Sequence, residues 1–137
     1  MNITCIIQAR LGSKRFPQKI LKKVEGKSII ELIISRLKLS KKINQIVVAI
    51  PKTKTDDRLN NFLKKRKITI FRGSEKNVLK RYYDTANYFN SNIIVRITSD
   101  CPLVDYKIID KMIDILIEKK KDYITNASPP SFPDGLD

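Results

Sequence analysis

The 137-residue chain contains no histidine, which excludes a Ser-His-Asp triad, a Cys-His pair and a histidine-ligated metal. Chemistry is left to carboxylates, lysines, arginines, backbone N–H groups or a metal held by oxygen. The stretch "IIQARLGSKRFPQKIL", residues 6–21, follows an apolar run with Arg10, Gly12, Ser13, Lys14, Arg15 and Lys19. It reads either as a solvated basic turn or as a phosphate cradle. In the cradle, Gly12 and Ser13 present N–H groups while Arg10 and Lys19 add charge. It is neither a Walker A loop nor G-x-G-x-x-G, because Gly12 is its only glycine. In "RITSDCPL", Asp100 lies just past another apolar run. It could bind magnesium, which takes one or two protein carboxylates plus phosphate oxygens and water, or cap local turn N–H groups. In "RGSEKNVLKRYYDTA", Arg72 and Ser74 could touch a base, a ribose or a phosphate. Arg81 lies along the helix that follows, and Tyr82 and Tyr83 read as packing residues rather than a stacking platform. In "FPDGLD", Asp134 and Asp137 could form a metal or sugar site, or a simple terminal turn.

The net charge of +14 favours an anionic ligand. It does not read as a nucleic-acid binder. The lysines are scattered, in Lys22-Lys23, Lys41-Lys42, Lys64-Lys65 and Lys119 to Lys121. There is no aromatic-interleaved basic motif, RNA-binding signature or finger spacing. No apolar run approaches the ~18 residues of a membrane span. Met1-Asn2-Ile3-Thr4 lacks the basic start of a secretory signal. Cys5 and Cys101 are too few for a disulfide framework or a thiolate zinc site. A reduced, cytoplasmic setting is expected.

These groups need elements to position them. Ile3 to Gln8 is short, apolar and β-branched, and predicts a buried strand. Ser28 with Glu31 three residues on predicts a capping box and a helix from Ile29 to about Leu39. Ile46 to Ile50 predicts a second strand, and Thr55 or Asp56 caps a helix to about Arg66. Ile68 to Phe71 predicts a third strand, and Ser74 precedes a helix running through Val78 to Phe89. Ile93 to Ile97 predicts a fourth strand, Asp105 caps another helix, and Tyr123-Ile124 suggest a fifth strand. Repeated alternation predicts a single three-layer α/β domain over 1–137 with a mainly parallel sheet. Such sheets bind ligands beyond their C-terminal strand ends. The loops carrying Arg10, Arg72 and Asp100 should therefore open on one edge.

Taken in order, "IIQARLGSKRFPQKIL", "FRGSEKNVLKRYYDTA", "VRITSDCPLVD" and "FPDGLD" resemble the bacterial cytidylyltransferases of the spore coat polysaccharide biosynthesis type. These are similar to the acylneuraminate and deoxy-octulosonate cytidylyltransferases. The resemblance implies a nucleotide-diphospho-sugar transferase fold, Rossmann-like in build. It implies CTP as substrate and Mg2+ as cofactor. An oxygen of a sugar or sugar acid would attack the α-phosphate, pyrophosphate would leave and a CMP-sugar would form. By the same resemblance Arg10 and Lys19 would hold the triphosphate, with Gly12 and Ser13 in close backbone contact. Arg72 and Ser74 would lie near the nucleoside, and Asp100 would hold the metal with Arg96 supporting it. Asp134 and Asp137 would face the acceptor or a second metal. Two positions depart from the pattern: Lys14 stands where the family usually has a small hydroxyl residue, and Gln18 where it often has glycine, so a side chain at 18 is expected to crowd the loop. Family members usually continue well beyond "DGLD". The chain is therefore expected to be the nucleotide half, C-terminally truncated, without the part that supplies acceptor and homodimer contacts. Rival expectations are a glycosyltransferase using a nucleotide-sugar and a non-catalytic nucleotide-binding module.

Overall fold

The computed structural model describes residues 1–12 and 18–133. Its central sheet takes β1 (Ile3–Gln8), β4 (Gln45–Pro51), β5 (Ile70–Gly73) and β6 (Ile93–Thr98) in the order β5-β4-β1-β6, every neighbouring pair parallel. The N-terminal strand is thus central. Thr4 pairs with Gln45 on one side and Ile94 on the other. A strand covered on both faces needs a mainly apolar run, and β1 supplies it: Ile3, Cys5, Ile6 and Ile7 are buried, and the buried Thr4 hydroxyl accepts from Gln45 Nε2 at 2.9 Å.

The period-2 alternation of β1 sorts its side chains between two cores. Ile3, Cys5 and Ile7 join the larger one, built with α1 (Ile29–Leu37), α2 (Asp57–Lys65) and α4 (Tyr106–Glu118). Ile6 faces the other way, with Ala49 of β4, against Tyr82 and Ala86 of α3 (Val78–Tyr88). Three helices cover one face and a single helix covers the other. Helix α1 buries Ile30, Ile33, Ile34 and Leu37 at helical spacing. It starts with the expected capping box: Glu31 N donates to Ser28 Oγ at 3.4 Å, and Ser28 N donates to Glu31 Oε2 at 3.0 Å. Asp105 caps α4 as expected, accepting from Lys107 N at 2.8 Å.

One expectation needs correcting. The fifth strand at Tyr123-Ile124 does not form; Tyr123 is exposed, and no main-sheet strand among the described residues follows β6. Ser74 precedes α3 as expected and accepts from Asn77 N, and the cap itself is Asn77, whose side chain accepts from Lys80 N at 2.8 Å. An antiparallel ribbon, β2 (Lys23–Val24) with β3 (Lys27–Ser28), was not anticipated; it turns through Glu25 and Gly26, both at positive φ.

Candidate active site

Loops leave the C-terminal edge of all four strands, and backbone bonds carry the pairing into them. Ala9 N donates to Ala49 O at 3.1 Å, Lys52 N to Gly73 O at 2.9 Å and Ser99 N to Gln8 O at 3.2 Å. The loop after β1 is anchored by Asp56. This carboxylate is buried and accepts from Leu11 N at 2.8 Å and from the Thr53 hydroxyl at 2.6 Å. Asp56 holds the N-cap position of α2 yet its side chain makes no cap bond. It is committed instead to the loop 45 residues earlier. Leu11 is buried with it, while Arg10 and Gly12 beside it are exposed, and a Cβ on Gly12 would meet nothing within 4 Å. The exposed backbone beside Arg10 is therefore open to a ligand.

The same loop ends in a 3-10 turn, Lys19–Leu21, in which buried Ile20 anchors the chain and Lys19 lies half-buried. Gln18, just before it, adopts φ 56°, in the left-handed region. That region favours glycine. The loop residues that the Gln18 side chain is expected to crowd lie outside the described residues. The side chain itself turns outward, and Arg58 Nη1 donates to its Oε1 at 2.5 Å. Ser13, Lys14 and Arg15 lie outside the described residues, as do Asp134 and Asp137.

Asp100 projects from the loop after β6 and is exposed. Its pKa is lowered, first by the Thr98 hydroxyl; burial opposes, and its own backbone N–H, the field of Lys19 and Cys101 add to the lowering. Asp100 therefore stays ionised, and it feels Lys19 across the edge of β1. Both residues lie on loops that leave neighbouring strands at the same edge of the sheet, because β6 lies directly beside β1.

Arg72 and Ser74 lie where β5 ends, as expected, but Arg72 is engaged within the fold. Its Nη1 donates to Asp57 at 2.6 Å and its Nη2 to Thr53 O at 2.6 Å. Arg72 and Asp56 thus both hold Thr53 of the β4–α2 loop, one at its carbonyl and the other at its hydroxyl. Arg96 stands over the Tyr82 ring, 5.8 Å from its centroid. Tyr82 packs as expected, donating to Ile97 O at 3.3 Å, whereas Tyr83 is exposed. A groove of about 660 Å³ beside α2, lined by Lys23, Arg58, Lys65 and Arg66 among others, contains none of the candidate site residues. Among the described residues no three Cys, Asp or Glu side chains cluster to hold a metal. Sequence reasoning assigned no loop-anchoring role to Asp56, because its partner is remote in sequence.

The family model for cytidylyltransferases matches residues 4–131, from the second residue of β1 past α4. The chain belongs to the cytidylyltransferase family. It is 41% identical over 128 residues to an uncharacterized protein of Methanocaldococcus jannaschii, covering 93% of this chain and 53% of that protein. It is 34% identical over 132 residues to the spore coat polysaccharide biosynthesis protein SpsF of Bacillus subtilis, covering 92% and 55%. It is 31% identical over 120 residues to the 3-deoxy-manno-octulosonate cytidylyltransferase of Geobacter sulfurreducens, covering 86% and 46%. Among solved structures it is similar to a cytidylyltransferase from Leptospira borgpetersenii, with a TM-score of 0.81 and 39% identity over 88% of this chain and 50% of that one. The architecture is the nucleotide-diphospho-sugar transferase fold. The chain spans about half the length of the curated relatives it matches.

Proposed function

We propose that residues 1–137 are the nucleotide-binding part of an enzyme that transfers CMP from CTP to a sugar or sugar acid, releasing pyrophosphate, for cell-surface polysaccharide synthesis in the cytoplasm. The observation that carries this reading is the cytidylyltransferase match over residues 4–131, which spans the loops after the neighbouring strands β1 and β6 that carry Arg10, Lys19 and Asp100. Arg10, Lys19 and the backbone around Gly12 and Ser13 would take the triphosphate, and Arg72 and Ser74 would border the nucleoside.

An ionised, exposed carboxylate suits a hard divalent cation with oxygen ligands. Asp100 would hold Mg2+ together with phosphate oxygens and water, and Asp137 is proposed as a further ligand. The ion, when bound, would neutralise phosphate charge as the acceptor oxygen attacks. The chain's own contribution is to orient the triphosphate and offset its charge, chemistry that needs no histidine base. The acceptor and the homodimer contacts would come from sequence beyond this half.

The test is a thermal-shift titration with CTP, UTP, ATP, GTP, CMP, cytidine and a nucleotide-sugar, each with and without Mg2+. A ligand that binds only the folded state raises the midpoint with its affinity. The expected result is a Mg2+-dependent rise for CTP that Asp100→Asn abolishes and Lys19→Ala weakens, with cytidine affected much less by Lys19→Ala. A nucleotide response indifferent to Asp100→Asn would remove the metal role. A response to nucleotide-sugars in preference to CTP would favour the glycosyltransferase reading.

A further inference from the structure

Arg81 is the largest side chain that the fold buries completely, only 1% exposed. Its aliphatic stem crosses Gly73 at the end of β5. A Cβ at position 73 would come within 2.9 Å of Arg81 Cγ, so the glycine leaves the room that the stem fills. The guanidinium ends under the loop between β5 and α3, where Nη1 donates to Ser74 O at 3.0 Å. Nε is buried without an acceptor.

Nothing among the described residues neutralises this charge at contact distance. The ion pairs there use Lys42, Arg66, Arg72 and Lys80. The carboxylate whose field reaches Arg81 is Asp56, already occupied by Leu11 N and the Thr53 hydroxyl. The field of Arg10 also reaches Arg81, with the same sign. Burial and Arg10 lower the Arg81 pKa against Tyr82 and Asp56, yet a guanidinium stays protonated at neutral pH. A guanidinium carries five N–H donors. Burying it with one acceptor, in the field of a second guanidinium, leaves desolvation uncompensated. An anion seated at the strand edge would offset both charges.

We infer that Arg81 is a nucleotide-binding residue, its guanidinium held beneath the Ser74–Asn77 loop to meet, with Arg10, the phosphates of the nucleotide. The inference rests on the nucleotide reading above, and it extends that site to a buried residue of α3.

The experiment compares wild type, Arg81→Met and Arg81→Gln by thermal shift and calorimetric titration with CTP, cytidine and inorganic tripolyphosphate. Met fills the channel over Gly73 without charge, and Gln keeps an N–H for Ser74 O. If the charge serves a ligand, Arg81→Met raises the ligand-free midpoint by about 3 °C or more. Its affinity for CTP and tripolyphosphate falls by roughly tenfold or more, and cytidine is unaffected. A lowered ligand-free midpoint assigns Arg81 to the fold and overturns the inference. If Arg81→Met does not fold, Arg81→Gln decides on affinity alone: loss of tripolyphosphate binding supports the inference and wild-type binding overturns it. Equal responses of wild type and variants overturn it while leaving the nucleotide reading intact. A wild type that responds to none of the three ligands overturns that reading, and the inference with it.

Discussion

Removing the Asp56 carboxylate should loosen the loop after β1 without disturbing the sheet that carries it. Asp56→Ala deletes two short bonds, from Leu11 N at 2.8 Å and from the Thr53 hydroxyl at 2.6 Å. Bonds to an ionised acceptor contribute about 1.5–3 kcal/mol each, and a buried N–H left without a partner costs about 1–3 kcal/mol. Relief of the buried carboxylate's desolvation offsets part of this, leaving a net loss of roughly 2–3 kcal/mol. A domain of this size moves its midpoint by about 3–4 °C per kcal/mol, so the expected fall is roughly 7–10 °C. Asp56→Asn retains a carbonyl oxygen for Leu11 N, and the Thr53 hydroxyl can turn to accept. That variant should lose only about 1 kcal/mol. Thermal denaturation of the three proteins gives the ordering, and hydrogen exchange locates it. The Leu11 amide should exchange much faster in Asp56→Ala, while amides in α3 keep their protection. An Asp56→Ala midpoint within about 2 °C of wild type, or an unchanged Leu11 amide, would refute the reasoning. If Asn proved as damaging as Ala, the charge rather than the bond to Leu11 would be what matters.

Gln18→Gly should stabilise the protein slightly. Relief of the left-handed conformation at φ 56° outweighs the added chain entropy and the exposed bond to Arg58, for a gain of about 0.5 kcal/mol. A midpoint rise of about 2 °C is expected, and a fall would show that the Arg58 contact dominates. Burial alone would raise the Glu31 pKa, but bonds from Ser28 and Arg66 outweigh it and bring it down to about 2. A depressed folded-state pKa contributes stability above the unfolded value, which is lost as pH falls through the folded one. Glu31 should therefore add roughly 1–2 kcal/mol above about pH 5, discounted for its partial exposure, and lose it toward pH 2. Denaturation midpoints followed from pH 6 to 2 should fall less steeply in Glu31→Gln, and parallel curves would contradict this.

Local chemistry was legible wherever the partner is a near neighbour. The Ser28–Glu31 box and the Asp105 cap act over two or three residues, so their sequence signals suffice. The central strands β1 and β4 announced themselves because burial on both faces demands apolar, β-branched runs, and the half-buried β5 and β6 were legible from the same residue types. Asp56 was legible only as the cap of α2, since its real partner is Leu11, across the sheet edge. Arg72 was placed at the right strand end, but its bonds to Asp57 and Thr53 O arise from packing that no spacing rule encodes. Tyr123-Ile124 had the composition of a strand, and short strands need a neighbour to pair with. The β2–β3 ribbon escaped because Glu25-Gly26 lacks the Asn-Gly or Asp-Gly signal. Arg81 was legible as a helix residue alone, since only the path of its stem over Gly73 reveals its burial.

The central place of the first strand has a consequence for synthesis. Strand β1 is synthesised before the other strands of the sheet, yet β6, which completes its pairing, ends at Thr98. At typical elongation rates that interval is about 5–20 s. Throughout it one edge of a largely apolar strand is open, and only the β4 side can be covered earlier. Exposed edges of this kind recruit other chains, and contacts of such long sequence separation form slowly. The nascent chain is therefore most prone to aggregate before α3 and β6 emerge, and chaperone dependence should fall once residue 98 is available.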